Sequence, residues 1–360
     1  MRGDNCIRVG SRKSELALIQ TRYVVSCLKE RYPEKKFEII TMSTTGDKIL
    51  DKPLTKIGEK SLFTKELETA LADELVDFVV HSLKDLPTTL PYGMCIGAVL
   101  SREDPRDAVV MHEKHSNKTL STLPEGSVIG TSSLRRKAQL NRKYPHLKVI
   151  DIRGNLNTRL AKLDKGDTFD AIVLAAAGIK RMDWEKRISE MLDANELMYA
   201  VGQGALAVEC REDDLEVLSL LEPLHHGATA LRALSERAFL RTLEGGCSAP
   251  VAVVSSYTDG TPRATLSLTG AVWSLDGSQT LKRGAVCHVR YHEEDDDGEP
   301  PSKCPYRMPK LFCSMAPASL SYMDLEEAEK LGEDLAMSMI KGGALTIMAE
   351  AKKKNETTPS

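Results

Sequence analysis

The chain has 360 residues, with 49 Lys and Arg against 52 Asp and Glu, a formal net charge of −3, 41% hydrophobic and 5% aromatic residues. That length exceeds one ordinary core and calls for two or three domains. The slightly acidic balance with few aromatics argues against a nucleic-acid binder, no stretch is long enough to span a membrane, and eight cysteines without CxxC pairs or metal-ligand spacing indicate neither a disulfide scaffold nor a zinc site.

The chain reaches a strand-like run by Ile7 with no apolar signal region before it, so the cytosol is the expected compartment. Cys6 to Gly10 reads as a buried strand. A helix follows, expected to pack through Leu16, Ile19, Tyr23 and Cys27. Arg12 and Lys13 fall at the strand-to-helix junction, where open α/β sheets deliver site residues. Phe37 to Met42 is a second strand. Ser43 to Lys60 carries Thr44, Thr45, Gly46, Asp47 and Pro53 with Lys48, Lys52, Lys56 and Lys60. Such a long loop is either a basic lid over an anion or a solvated loop. Thr64 caps a helix to Asp73. Phe78 to Val80, almost free of polar residues, is expected to be a central, parallel strand. It runs into HSLKDLPTTLP, where Pro87 and Pro91 block a helix and hold Ser82, Lys84 and Asp85 on a turn. Asp85 reads as a turn former or, facing a basic cleft, as an acid/base group or cation stabiliser.

Met94 to Leu100 and Asp107 to Met111 carry the chain to a second domain. There, from Gly130 to Leu160, one unit repeats: an apolar run ends in small or hydroxyl residues and opens a helix. The first is Ser127 to Gly130 with Thr131-Ser132-Ser133; the second is Val149 to Ile152 with Arg153-Gly154-Asn155. Free N–H groups and the helix dipole favour anions at such starts. Arg135, Arg136, Arg153 and Arg159 lie close by, and guanidinium forks suit carboxylate or phosphate. The alternatives are a ligand with several anionic groups in a cleft and a solvated basic helix face. Phe169 to Ala177 reads as a strand, followed by Gly178-Ile179-Lys180-Arg181.

Tyr199 to Ala205 is glycine-rich without dinucleotide or P-loop spacing, and leads a strand, Leu206 to Cys210, back to the first sheet. Thr229 to Leu243 is a helix, stopped by Gly245 and Gly246 before Cys247 and Pro250. Cys247 is a small buried hydrophobe or a thiol projected on a tight turn. Strands cover Val251 to Ser255, Thr265 to Trp273 and Gly284 to Val289, and a last helix runs from about Asp324 to Lys341. Glu293 to Pro317 looks like a surface insertion, and Lys352 to Ser360 a polar tail.

GTSSLRR, RGNLNTRL, VHSLKDLP, STTGD and EGGCSAPVA together resemble the porphobilinogen deaminase (hydroxymethylbilane synthase) family, in that family's order, over about residues 7 to 275 and the terminal helix. The resemblance implies an α/β fold: two doubly wound, periplasmic-binding-protein-like lobes plus a small α+β C-terminal domain. The expected division is 1–102 with 202–225, then 103–201, then 226–360, with an insertion at about 282–320. It implies head-to-tail condensation of four porphobilinogen molecules, with release of ammonia, to hydroxymethylbilane in haem biosynthesis. A covalent dipyrromethane is expected as cofactor, bound by a thioether to Cys247. Asp85 falls on the catalytic acid, which would stabilise positive charge on pyrrole nitrogen. Cofactor-binding positions fall on Lys84, Asp85, Ser132, Arg135, Arg136 and Arg159. Substrate-binding positions fall on Arg12, Gln20, Lys56, Lys60, Ser82, Arg153, Arg181 and Gln203. Each pyrrole brings two carboxylates, which the arginines would match. No metal, nucleotide, nucleic acid or membrane is implied, and a monomer is expected. Lys137 departs from the small or polar residue expected after the second arginine. The insertion after Gly277 is similar to longer, animal-type forms. The competing class is a two-lobed binding protein for an anionic small molecule, which needs neither a projecting thiol nor a cleft carboxylate.

Overall fold

A computed structural model describes residues 6–48, 63–243, 249–291 and 310–357. Cys247, Lys56 and Lys60, together with residues 292–309 of the expected insertion, lie outside the described residues. In chain order the first part holds β1 (Cys6–Arg12), α1 (Glu15–Arg31), β2 (Lys36–Met42), α2 (Thr45–Lys48), α3 (Lys65–Ala72), β3 (Phe78–Ser82) and β4 (Met94–Val99). The second holds β5 (Asp107–Met111), β6 (Val128–Gly130), α4 (Leu134–Lys143), β7 (Lys148–Ile150), α5 (Leu156–Asp164), β8 (Ala171–Ala175), α6 (Ala176–Arg181) and β9 (Glu190–Leu192). The chain then returns through β10 (Leu206–Arg211) and α7 (Leu215–Leu221). It closes with α8 (Gly227–Thr242), β11 (Val251–Thr258), β12 (Ala264–Trp273), β13 (Thr280–Val289), α9 (Tyr322–Lys341) and α10 (Ala344–Thr357).

Two five-stranded sheets share one plan. Their orders are β2-β1-β3-β10-β4 and β7-β6-β8-β5-β9. In each, the fourth strand is antiparallel and is supplied by chain that has just crossed from the other sheet. The result is two doubly wound α/β lobes joined by two crossings, with the C-terminal ends of the parallel strands facing one cleft. β3 is central but parallel only to β1; its other neighbour, β10, is antiparallel. Its hydrophobicity comes from burial on both faces, which does not encode direction. The C-terminal domain is an antiparallel sheet, β11-β12-β13, covered by α8 and α9. One apolar cluster runs from Leu67, Val79 and Ile96 of the first lobe to Leu231, Phe239, Leu268 and Met315. The C-terminal domain and the first lobe are therefore packed as one body. No helix among the described residues is long and apolar enough to cross a membrane.

Five expectations change. Helix α1 buries Ala17, Gln20, Thr21, Val24, Val25 and Leu28, whereas Tyr23 is 53% exposed. The core stripe includes two polar residues with partners, Thr21 Oγ1 donating to Ala17 O and Ser11 Oγ, so apolar counting selects the wrong face. The run from Phe169 is a strand only to Ala175; Ala176 and Ala177 begin α6, and alanine's apolarity does not mark that switch. β13 pairs with β12 along its whole length to Val289, so residues 282–289 are sheet and no insertion. Beyond the insertion, Phe312 and Met315 are fully buried and Ile96 donates to Ser314 O at 2.7 Å, so this end is core rather than surface. The expected tail likewise continues α10 through Thr357.

Candidate active site

The first lobe supplies the ends of β1 and β3. Arg12 closes β1 with its guanidinium carbon 4.3 Å from the Phe63 ring centroid. Ser82 closes β3, and its Oγ accepts from Gln20 Nε2 at 3.0 Å. A single 3-10 turn, Leu83–Asp85, follows because the prolines beyond it stop helix growth. Leu83 is buried and its N–H donates to Ala205 O at 3.0 Å, so the turn is anchored at one residue while Asp85 is exposed. The glycine-rich return chain is what lets this turn close. Gly202 has φ +70° and a Cβ there would come 2.9 Å from Leu83 Cγ; Gly204 has φ +92° and a Cβ would come 2.3 Å from Glu103 O. Arg12, Gln20, Phe63, Ser82 and Asp85 line one pocket.

The second lobe supplies the starts of α4 and α5. Ser133 caps α4, its Oγ accepting from Arg136 N, and Asn155 caps α5, its Oδ1 accepting from Thr158 N at 2.9 Å. Ser132 Oγ donates to Ile152 O at 2.7 Å, which ties the two units together. Arg135 Nη1 donates to Asp107 Oδ2 and Met198 O, both at 2.7 Å. Arg136 Nη2 donates to Asp107 Oδ1 at 2.7 Å and Nη1 to Val173 O at 2.9 Å. Its Nε is buried with no partner among the described residues. Gln203 is buried, with Nε2 donating to Pro105 O at 2.6 Å and Asp107 Oδ1 at 2.9 Å. Arg181 Nη2 donates to Gly204 O at 2.7 Å.

Asp107 is the residue that sequence reasoning missed as part of this site. It reads there only as the head of a strand, yet a carboxylate opening the run DAVVM carries a signal: a fully buried acid requires a buried base. Burial alone would raise its pKa, but Arg135 and Arg136 outweigh that and hold it well below the carboxylate range.

Arg159 and Lys84 make no ion pair with an acid among the described residues. Arg159 donates from Nε to Gly154 O at 2.8 Å. Burial, then Arg136 and Arg153, push its pKa down to about 10, opposed by Asp85. Arg153 is lowered by burial against Asp151, and Arg181 by burial against Glu103. Burial lowers Lys84 to about 8, with Asp85 and Asp107 opposing and Arg136 and Arg135 reinforcing. Lys84 and Asp85 of one lobe thus sit within electrostatic range of Arg136 and Arg159 of the other. Of the expected residues, the cleft brings together Lys84, Asp85, Arg136, Arg153 and Arg159. Arg12, Gln20 and Ser82 form the adjoining pocket, Arg135 and Gln203 are engaged by Asp107, and Arg181 reaches the return chain. Crowded, desolvated cations around one exposed carboxylate can bind a polyanion and stabilise a cation within it.

Residues 7–219 match the family profile "Porphobilinogen deaminase, dipyromethane cofactor binding domain", and residues 230–298 match "Porphobilinogen deaminase, C-terminal domain". Porphobilinogen deaminase from Synechococcus elongatus is 57% identical over 276 residues, 77% of this chain and 85% of that protein. The protein of that name from Nostoc sp. is 52% identical over 77% of this chain and 84% of its own, and that from Gloeobacter violaceus 55% over 75% and 81%. These relatives are cyanobacterial and lend no support to an animal-type form. By both profiles and by this identity over most of its length, the chain belongs to the porphobilinogen deaminase family.

Proposed function

We propose that the protein is a transferase that joins four porphobilinogen molecules head to tail, releasing ammonia, to give hydroxymethylbilane. The observation that carries this reading is the cluster of desolvated cations around Asp85 in a chain of this family. The binding-protein alternative accounts for neither the family's cofactor domain nor the cleft carboxylate. The three-part division at 102, 202 and 226 belongs to the proposal and is supported by the three separate sheets. A monomeric, cytoplasmic enzyme is proposed from the family resemblance alone. The longer, animal-type form rests only on the insertion expected after Gly277.

The family's dipyrromethane suits this wall. Arg136 Nε is a buried donor with no acceptor among the described residues, and Arg159 and Lys84 are cations depressed by burial, a state that incoming carboxylates would relieve. Lys84, Ser132, Arg136 and Arg159 would hold its acetate and propionate groups, with Arg135 keeping Arg136 in place through Asp107 and Cys247 providing the thioether. When bound, the group supplies the free pyrrole carbon to which the first substrate is joined. Arg12, Gln20, Ser82, Arg153 and Arg181, with Lys56 and Lys60, would take the carboxylates of porphobilinogen. Asp85 supplies the fixed negative charge that loss of ammonia demands, since departure of the amino group leaves positive charge shared with the pyrrole N–H. Its carboxylate also accepts the proton that the attacking ring releases as the new C–C bond forms.

Intact-protein mass spectrometry tests the reading, run with Cys247→Ser and Asp85→Asn beside the wild type. Extra mass of two pyrrole units, lost in the Ser variant, together with hydroxymethylbilane formation that collapses in the Asn variant, is the expected result. A bare polypeptide that stays bare and inactive after incubation with porphobilinogen would overturn it.

A further inference from the structure

Helix α8 contains a buried cation that the reaction does not use. Arg237 is 1% exposed and one of the largest fully buried side chains among the described residues. Its hydrogen bonds go to carbonyls: Nη1 to Leu86 O at 3.4 Å, and Nη2 to Pro87 O at 2.8 Å and Cys313 O at 3.1 Å. Nε has no partner among the described residues. Burial pushes the guanidinium down to about 10, with Cys313 and Glu209 favouring its charge and Arg241 opposing. Burying a guanidinium against carbonyls is expensive, and an apolar side chain would fill the same space at less expense. What Arg237 gains is a grip on two consecutive carbonyls, those of the residues directly after Asp85.

The near end of the same turn is held as well. His81 and Ser82 pair with Ala207 and Leu206 of β10, and Leu83 N–H donates to Ala205 O at 3.0 Å. The stretch from Ser82 to Asp85 therefore lies between the backbone ladder of the sheet on one side and Arg237 of the C-terminal domain on the other. Helix α8 also leads to Cys247: it ends at Thr242, five positions before that residue. Helix α8 thus precedes Cys247 in the chain and itself carries a hold on the acid's turn.

We infer that Arg237 is a positioning residue, which fixes the turn bearing Asp85 relative to helix α8. This rests on the reading of Asp85 as the catalytic acid. The test uses purified, cofactor-loaded enzyme, with cofactor content read by intact mass and turnover expressed per loaded chain. Arg237→Gln should lower kcat roughly 10- to 100-fold, the scale expected when a catalytic group is displaced by about 1 Å. KM for porphobilinogen should move less than about twofold, because the substrate's carboxylate contacts are untouched. Arg237→Lys should recover part of the loss. The double variant with Asp85→Asn should be no slower than Asp85→Asn alone, because Arg237 acts through that residue. A purely structural arginine would lower yield and melting temperature while leaving kcat per loaded chain intact, and that result overturns the inference, as does a fully multiplicative double variant. If the Gln variant does not fold, the Lys variant decides: an ammonium cannot span carbonyls from two segments as the fork does, so wild-type kcat there overturns the inference. Asp85→Asn with wild-type turnover would overturn the catalytic reading itself, and the inference with it. Collapse of that variant beside an unimpaired Arg237→Gln removes the inference alone.

Discussion

The arginines at the start of α4 and those near the start of α5 follow the same kind of strand-to-helix turn, and their environments differ sharply. Arg135 and Arg136 share the buried carboxylate of Asp107 at 2.7 Å each. Arg159 has a backbone carbonyl, two like charges nearby and only the cleft's Asp85 in opposition. The fold answers one of the first pair's two charges through Asp107, whereas Arg159 leaves its charge to be answered by whatever enters the cleft. A basic cluster in sequence is therefore two things at once, scaffold and binding surface, and the counter-ion decides which.

Asp107→Asn should break this contrast most severely. It leaves two buried guanidiniums short of their acid and should lower stability by about 3–5 kcal/mol, read from a denaturant midpoint. An unchanged midpoint would mean that the α4 arginines are not held by this carboxylate. Arg159→Gln should behave in the opposite sense. Removing a cation crowded by Arg136 and Arg153 should leave the melting temperature unchanged or raise it. Cofactor assembly or chain extension should fall roughly 10- to 100-fold, the worth of one charged hydrogen bond of about 1.5–3 kcal/mol. A large stability loss with normal turnover would move Arg159 to the scaffold class.

Lys84 sharpens the comparison through pH. Its ammonium is lowered from 10.5 to about 8. The folded protein then binds fewer protons than the unfolded chain between those values, so protein without bound anion should gain stability as pH rises from about 8 to 10.5. Assembly of the cofactor on the apo protein should slow as pH rises through about 8, because the charged form makes the contact. An assembly rate that is flat across that point, with Lys84→Met as the control, would remove Lys84 from the cofactor-binding surface. The smallest effect is expected from Ser132→Ala. The loss of its bond to Ile152 O should cost about 1 kcal/mol if the hydroxyl is only a tie between the two units; a fall in cofactor content without that loss would show that it faces the ligand.

Much of this was legible in the sequence. Runs such as VIGTSSLRR gave the strand, the cap and the first helix turn, and Ser133 and Asn155 do cap α4 and α5. The turn at Asp85 followed from Pro87 and Pro91. Less was legible where direction or partnership comes from distant chain. β3 could not reveal that β10 would run antiparallel beside it, and DAVVM could not say which arginines Asp107 would meet. Gln20 shows the same limit from the other side: polar on a core face, it is accommodated only because Ser82, 62 positions away, accepts its hydrogen bond. Local pattern sets the elements, and long-range pairing sets which charges are spent internally.

The short segment after the insertion has one more consequence. β4 is the outer strand of the first sheet, yet Ile96 donates to Ser314 O at 2.7 Å and accepts from Ala316 N at 2.9 Å. Met315 thereby acts as a one-residue strand that caps an otherwise open edge of MCIGAV, six buried and mostly apolar residues. Unpaired edges of that kind are templates for intermolecular pairing. A chain ending before Lys310 should therefore be prone to self-association through β4, and its solubility at high concentration should fall even where its fold persists.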